Sequence, residues 1–308
     1  MKYIGLQSQI NSNNRKSTLL LLSFPLIILG GVYLFFFFAF GQDMEMVNYN
    51  FLLILPFVGG GVLIWFLIAW ASHAALIKLS TGAKALERKE NMRIYNLTEN
   101  LCMSVGMRMP KLYIIDSPAL NAFASGINEK TYAVTLTAGI IEALDDKELE
   151  GVIAHELTHI RNRDVRLLII SIIFVGILGF VVQVLFRSLI YGSGRSRNNK
   201  DSKLDGRVML IALVIALVAY LLTILFKFAL SRKREYLADA GAVEMTKDPM
   251  AMANALRKIS GNHELEVRSG DVKQMFIENG PTKNAVGISG LFATHPPIEK
   301  RIAFLEQM

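Results

Sequence analysis

A chain of 308 residues, 52% hydrophobic, with a mean hydropathy of +0.38, is too apolar for an ordinary soluble protein. Its net charge of +7 invites a nucleic-acid reading, but most of the excess flanks apolar runs, where basic residues meet lipid headgroups, and no nucleic-acid module is visible. The single cysteine, Cys102, excludes an internal disulfide and suits a reducing compartment.

In chain order, Leu19 to Phe40 is an uncharged run long enough to cross a bilayer. It exceeds the apolar core of a signal peptide and reads as an anchor, although Ala39-Phe40-Gly41 resembles a cleavage site. Phe51 to Leu76 is a second run; Pro25 and Pro56 sit inside the two, which membrane helices tolerate. Lys2, Arg15 and Lys16 precede the first run, Asp43 and Glu45 lie between the two, and Lys78, Lys84, Arg88, Lys89 and Arg93 follow the second. The positive-inside rule therefore puts the N-terminus and the region after residue 78 in the cytoplasm. Residues 1–78 form an N-terminal transmembrane hairpin on this reading.

Residues 79–164 read as a compact α+β region. Ile94, Leu97, Leu101 and Val105 recur at helical spacing over Asn91 to Val105, with Gly106 as the stop. Lys111 to Ile115, Asn121 to Ser125 and Thr131 to Thr137 read as strands, the last two joined by a hairpin loop. Ile140 to Leu144 leads into a helix that opens with Asp145 and Glu148, the spacing of a capping box. That helix carries His155-Glu156-Leu157-Thr158-His159. Residues four apart on a helix share a face, about 5–6 Å between Cβ atoms, so both imidazoles can close on one metal ion. Glu156, about 100° further round the helix, can reach a metal-bound water without becoming a ligand, as in zinc peptidases.

Leu167 to Phe186 and Val208 to Phe226 are a third and a fourth apolar run, making a second hairpin over residues 165–230. The loop between them, Tyr191 to Arg207, holds Arg195, Arg197, Lys200, Lys203 and Arg207 against Asp201 and Asp205, a balance that a charge rule would keep inside. Chemistry imposes a stronger constraint. A catalytic zinc takes three protein ligands and keeps a fourth position for water, and the best third candidate, Glu235, lies beyond this hairpin. The chain must cross an even number of times in between, by two crossings or a re-entrant hairpin. Gly192 to Lys203 is the most disorder-like segment.

Residues 231–308 supply the rest of the site. Glu235 and Asp239, four apart, face one way, so that one can bind metal while the other accepts the free ring N–H of a ligating histidine. Asp248-Pro249 starts a helix that runs to about Ile259, Asn262 to Gly290 reads as loops, and a final helix follows Pro296-Pro297. His295 and Arg301 are the right types to hold a developing oxyanion.

The HELTH stretch, Glu235 to Ala242 (EYLADAGA), Asn121-Ala122-Phe123-Ala124 and Thr294-His295-Pro296-Pro297 together resemble the M48 zinc metallopeptidases, in their HtpX-type branch of bacterial membrane proteases. The resemblance spans nearly the whole chain, with no departure at a ligand or base position. It implies a mainly α membrane protein, with four transmembrane helices and a small α+β zincin-like (gluzincin) catalytic domain. It also implies one Zn2+ per subunit on His155, His159 and Glu235, with Glu156 as general base and Asp239 orienting His155. Asn121, Ala122 and Phe123 would line the substrate groove, and His295 and Arg301 would stabilise the oxyanion. The activity implied is a zinc endopeptidase of the bacterial inner membrane, its site facing the cytoplasm, cleaving misfolded or damaged membrane proteins. Two alternatives stand beside it. Processing of lipidated C-terminal peptides would need an intramembrane chamber, for which four spans are too few. A membrane adaptor with a structural zinc would have no use for Glu156.

Overall fold

The computed structural model describes residues 6–40, 43–192, 206–229, 232–260 and 296–308. Its elements, in chain order, are α1 (Leu6–Phe40), α2 (Met44–Thr81), β1 (Lys84–Ala85), α3 (Met92–Ser104), β2 (Lys111–Ile115), β3 (Ala122–Ser125), β4 (Ala133–Thr137), α4 (Ala138–Ala143), α5 (Asp146–Arg161), α6 (Asp164–Gly192), α7 (Gly206–Ala229), α8 (Arg232–Thr246), α9 (Pro249–Ile259) and α10 (Ile298–Leu305). They form two compact units. One gathers residues 1–16, 72–169 and 228–308, the other residues 17–71 and 170–227.

The second unit contains the apolar parts of α1, α2, α6 and α7. Three stretches, Ile10–Phe38, Met44–Thr81 and Asp164–Arg187, are long and apolar enough to cross a membrane; in α7 the apolar stretch is shorter, Met209–Leu222, among the described residues. Phe24 stacks on Phe174 with ring centroids 3.9 Å apart. A Cβ on Gly31 would stand 3.3 Å from Ile215, and one on Gly179 equally close to Tyr220; small residues let membrane helices approach this closely. Many other large apolar side chains of this unit point outward, while α6 buries Ile173, Val175, Ile177 and Leu178.

The first unit is built on a four-stranded sheet of order β1-β2-β4-β3. β2 runs parallel to β4, while β3 pairs antiparallel with β4 from Ala122↔Leu136 to Ser125↔Ala133. The β3–β4 turn depends on Gly126, whose φ is +105° and where a Cβ would stand 2.4 Å from the Thr131 carbonyl oxygen. The two-residue β1 is too short to carry a periodicity. The stretch after β4, expected only to lead onward, forms the one-and-a-half-turn α4, capped by Thr137.

α5 opens as a capping box. Asp145 accepts from the Glu148 amide at 2.9 Å and Glu148 accepts from the Asp145 amide at 3.0 Å. α9 starts on Asp248, which accepts from the Ala251 amide, with Pro249 in its first turn. α8 crosses α5 where Gly241 meets Thr158. A Cβ on Gly241 would fall 2.4 Å from the Thr158 methyl, so only glycine allows this approach. That crossing turns the Glu235–Asp239 face of α8 towards the histidines of α5.

Candidate metal centre and active site

The imidazole Nε2 atoms of His155 and His159 lie 3.2 Å apart on α5. From α8, one Glu235 oxygen is 3.6 Å from His155 Nε2 and the other 3.7 Å from His159 Nε2. Among the described residues this is the group of His, Cys, Asp and Glu side chains that can share an ion, their donor atoms all within 4.8 Å of one another. Tetrahedral ligands about 2.0–2.1 Å from a zinc-sized ion lie roughly 3.3 Å apart, so the 3.2, 3.6 and 3.7 Å separations here would need only small side-chain shifts to take such an ion.

Each histidine has its other ring nitrogen against a carboxylate. His155 Nδ1 is 3.0 Å from Asp239, and His159 Nδ1 is 3.3 Å from Asp164. A carboxylate accepting the Nδ1–H leaves Nε2 as the lone-pair donor and fixes the ring plane. Asp239 is the partner expected from its spacing. Asp164 is not foreseen in the sequence; it stands just past α5, where Arg163 at φ +60° turns the chain into α6. The only local signal is a carboxylate five residues after the second histidine. Asn13 holds Asp164 from outside, its amide donating to Asp164 Oδ1 at 2.6 Å and to the Asn162 carbonyl at 2.9 Å.

Arg301 enters the site from α10, fully buried. Its Nε and one Nη donate to the two Asp239 oxygens at 2.9 and 2.7 Å, a bidentate grip. The other Nη is 3.7 Å from Glu235. Burial works against a charge on Asp239, but Arg301 and the hydrogen bond from His155 hold its carboxyl below the usual range. Burial and Arg301 also work against a charge on His155; hydrogen bonds to Asp239 and Glu235 outweigh them and carry its pKa up to about 9 in the metal-free site.

Glu156 is buried beside the histidines. Burial raises its pKa, and the Glu235 charge adds to this against the two histidines and a hydrogen bond from the Ala124 amide. That amide belongs to β3. The Thr137 amide donates to the Asn121 carbonyl across the β3–β4 pair, so by antiparallel alternation Ala122 and Ala124 turn their peptide groups away from β4. Of those outward amides, Ala122 donates to the Asn121 side chain at 2.9 Å and Ala124 to Glu156. β3 is one of the two outer strands of the sheet. Asn121, Ala122 and Phe123 are all buried there. His295 lies outside the described residues.

The model of Peptidase family M48 matches residues 88–308. The chain is 54% identical over 325 residues to a "Protease HtpX homolog" of Bacteroides fragilis, with 100% of each chain covered. It is 36% identical to the Lactobacillus helveticus protein of the same description, over 98% of this chain and 100% of that one. The Listeria monocytogenes serotype 4a protein of that description is also 36% identical, over 97% and 99%. Among solved structures, Ste24p from S. mikatae is similar with a TM-score of 0.50 and 19% identity, covering 96% of this chain and 66% of that one. The chain thus spans just under two thirds of Ste24p, and at that identity the likeness concerns the fold.

Proposed function

The chain belongs to peptidase family M48 and is a membrane-anchored metalloprotease acting on protein or peptide substrates, and on that premise we propose a zinc endopeptidase that clears misfolded or damaged proteins at the bacterial inner membrane. The observation that carries the site assignment is the convergence of His155, His159 and Glu235 around one point, with Glu156 buried alongside. In this reading residues 1–78 and 165–230 are two transmembrane hairpins, α7 makes the fourth crossing, and residues 79–164 and 231–308 meet on the cytoplasmic side.

When bound, zinc supplies Lewis acidity towards the substrate carbonyl and lowers the pKa of water at its open position. Glu156 accepts the proton of the attacking water and hands it to the leaving amine nitrogen. A carboxylate whose pKa is raised by burial suits both transfers. Asp239 and Asp164 hold His155 and His159 by their Nδ1–H groups. Arg301 was expected at the oxyanion, but its guanidinium is engaged by Asp239, so we assign it to fixing that carboxylate. Among the side chains, the oxyanion role then rests with His295. An extended substrate lies along the outer edge of β3, adding a strand beside Asn121, Ala122 and Phe123.

Glu156→Gln tests the base. The purified variant keeps its zinc and loses cleavage of casein by about 10²–10⁴-fold; wild-type cleavage by a zinc-loaded Glu156→Gln would remove Glu156 from the chemistry. Glu235→Ala tests the ligand set through zinc stoichiometry, which falls if the assignment holds.

A further inference from the structure

Away from the metal centre, the first unit contains a second concavity of about 710 Å³ with no place in the chemistry above. The end of α3, the β3–β4 turn, the end of α5, the first turn of α6 and Ile10 of α1 surround it. Five cationic side chains line it, Arg108, Lys130, Arg161, Arg163 and Arg166, against one carboxylate, Glu129. Only part of that charge is met within the protein. Arg161 is 3.8 Å from Glu244, and Arg163 donates to Asn14 at 3.1 Å. Arg166 has its Nε buried with no hydrogen-bond partner among the described residues. Like charges gathered in a concavity repel one another, and a buried donor without an acceptor is costly; an anion seated there would relieve both.

Two of the lining elements say which anion. α1 and α6 both continue from this concavity into stretches apolar enough to cross a membrane, Ile10–Phe38 and Asp164–Arg187. Asn13 ties their beginnings together through Asn162 and Asp164. Two apolar stretches thus start at or beside residues lining this concavity, and basic pockets beside the ends of membrane spans bind anionic headgroups.

We propose that this pocket, centred on Arg108, Arg163 and Arg166, binds the headgroup of a net-anionic phospholipid. The phosphodiester accepts from the guanidinium groups. A choline headgroup carries a cation that the same arginines repel, so zwitterionic lipid is a poor occupant.

The test uses the full zinc-loaded chain in a neutral detergent, titrated separately with phosphatidylglycerol, phosphatidylcholine and inorganic phosphate, with bound lipid counted by native mass spectrometry. Wild type binds phosphatidylglycerol at least tenfold more tightly than phosphatidylcholine, and its Tm rises with phosphatidylglycerol but not with phosphate at equal concentration. Arg108→Gln/Arg166→Gln removes the preference while casein cleavage stays at the wild-type level. Should that variant fail to fold, Arg108→Gln/Lys130→Gln, confined to exposed side chains, weakens the preference severalfold. A wild type without preference, a preference that survives the substitutions, or a phosphate shift equal to that of the lipid overturns the proposal. Casein cleavage, followed in parallel, reports separately on the metal site.

Discussion

The two units of this chain handle burial in opposite directions. In the first, charged groups go inside: His155, Asp239 and Arg301 are each 0% exposed, and each is balanced by a partner within 3.0 Å. In the second, large apolar groups face outward: Leu22 is 65% exposed and Phe57 72%. A bilayer makes the second arrangement inexpensive, since lipid tails are as apolar as leucine. The first is stable only while its charges stay matched, because a buried ion left alone carries its full desolvation cost. Precision in one unit and tolerance in the other are the expected consequences.

The sharpest break comes from Arg301→Met, which leaves Asp239 buried beside no guanidinium. A loss of about 3–5 kcal/mol is expected, read as hydrogen-exchange protection lost from α5 and α8. Arg301→Met/Asp239→Leu should recover part of it, and a single-variant loss under about 1 kcal/mol would refute the matched-charge picture.

A smaller effect follows from Asp164→Asn, which keeps the shape of the side chain and removes the charge facing His159. Zinc affinity should weaken about 10–100-fold in a chelator competition; unchanged affinity would mean that the Asp164–His159 contact is incidental.

Protons compete for the same centre. His155 in the metal-free site holds its proton up to pH about 9, so metal loading below that pH must expel it. Apparent zinc affinity therefore rises by up to about tenfold per pH unit between pH 7 and 9, and zinc titrations in buffers of different ionisation enthalpy report the released proton. Affinity independent of pH across that window would contradict the assignment of His155.

The smallest effect belongs to the membrane unit. Phe57→Ala should change the stability of the bilayer-embedded protein by less than about 0.5 kcal/mol, against about 3–5 kcal/mol for Phe123→Ala in the first unit. Comparable losses at both sites would erase the contrast between the units.

Much of this architecture is legible from local pattern. The His155–His159 spacing, the Asp145–Glu148 box, Pro249 at a helix start and the β3–β4 hairpin each rest on residues within about one or two turns of one another. Their geometry follows from helix pitch or strand pairing and needs no knowledge of the fold. Three of the four apolar runs were equally readable, because length and hydropathy are properties of a segment by itself; the fourth is shorter in the fold, Met209–Leu222 among the described residues. The M48 resemblance, carried by motifs in chain order, holds. Tertiary structure decided the rest. It alone brought Glu235 of α8 to the α5 histidines, through a crossing that hinges on Gly241 against Thr158. It set Asp164 on His159 and the Ala124 amide on Glu156, and it engaged Arg301 with Asp239, 62 positions earlier. A buried charge takes whichever opposite charge the folded chain sets beside it, and spacing along the sequence carries no record of that meeting.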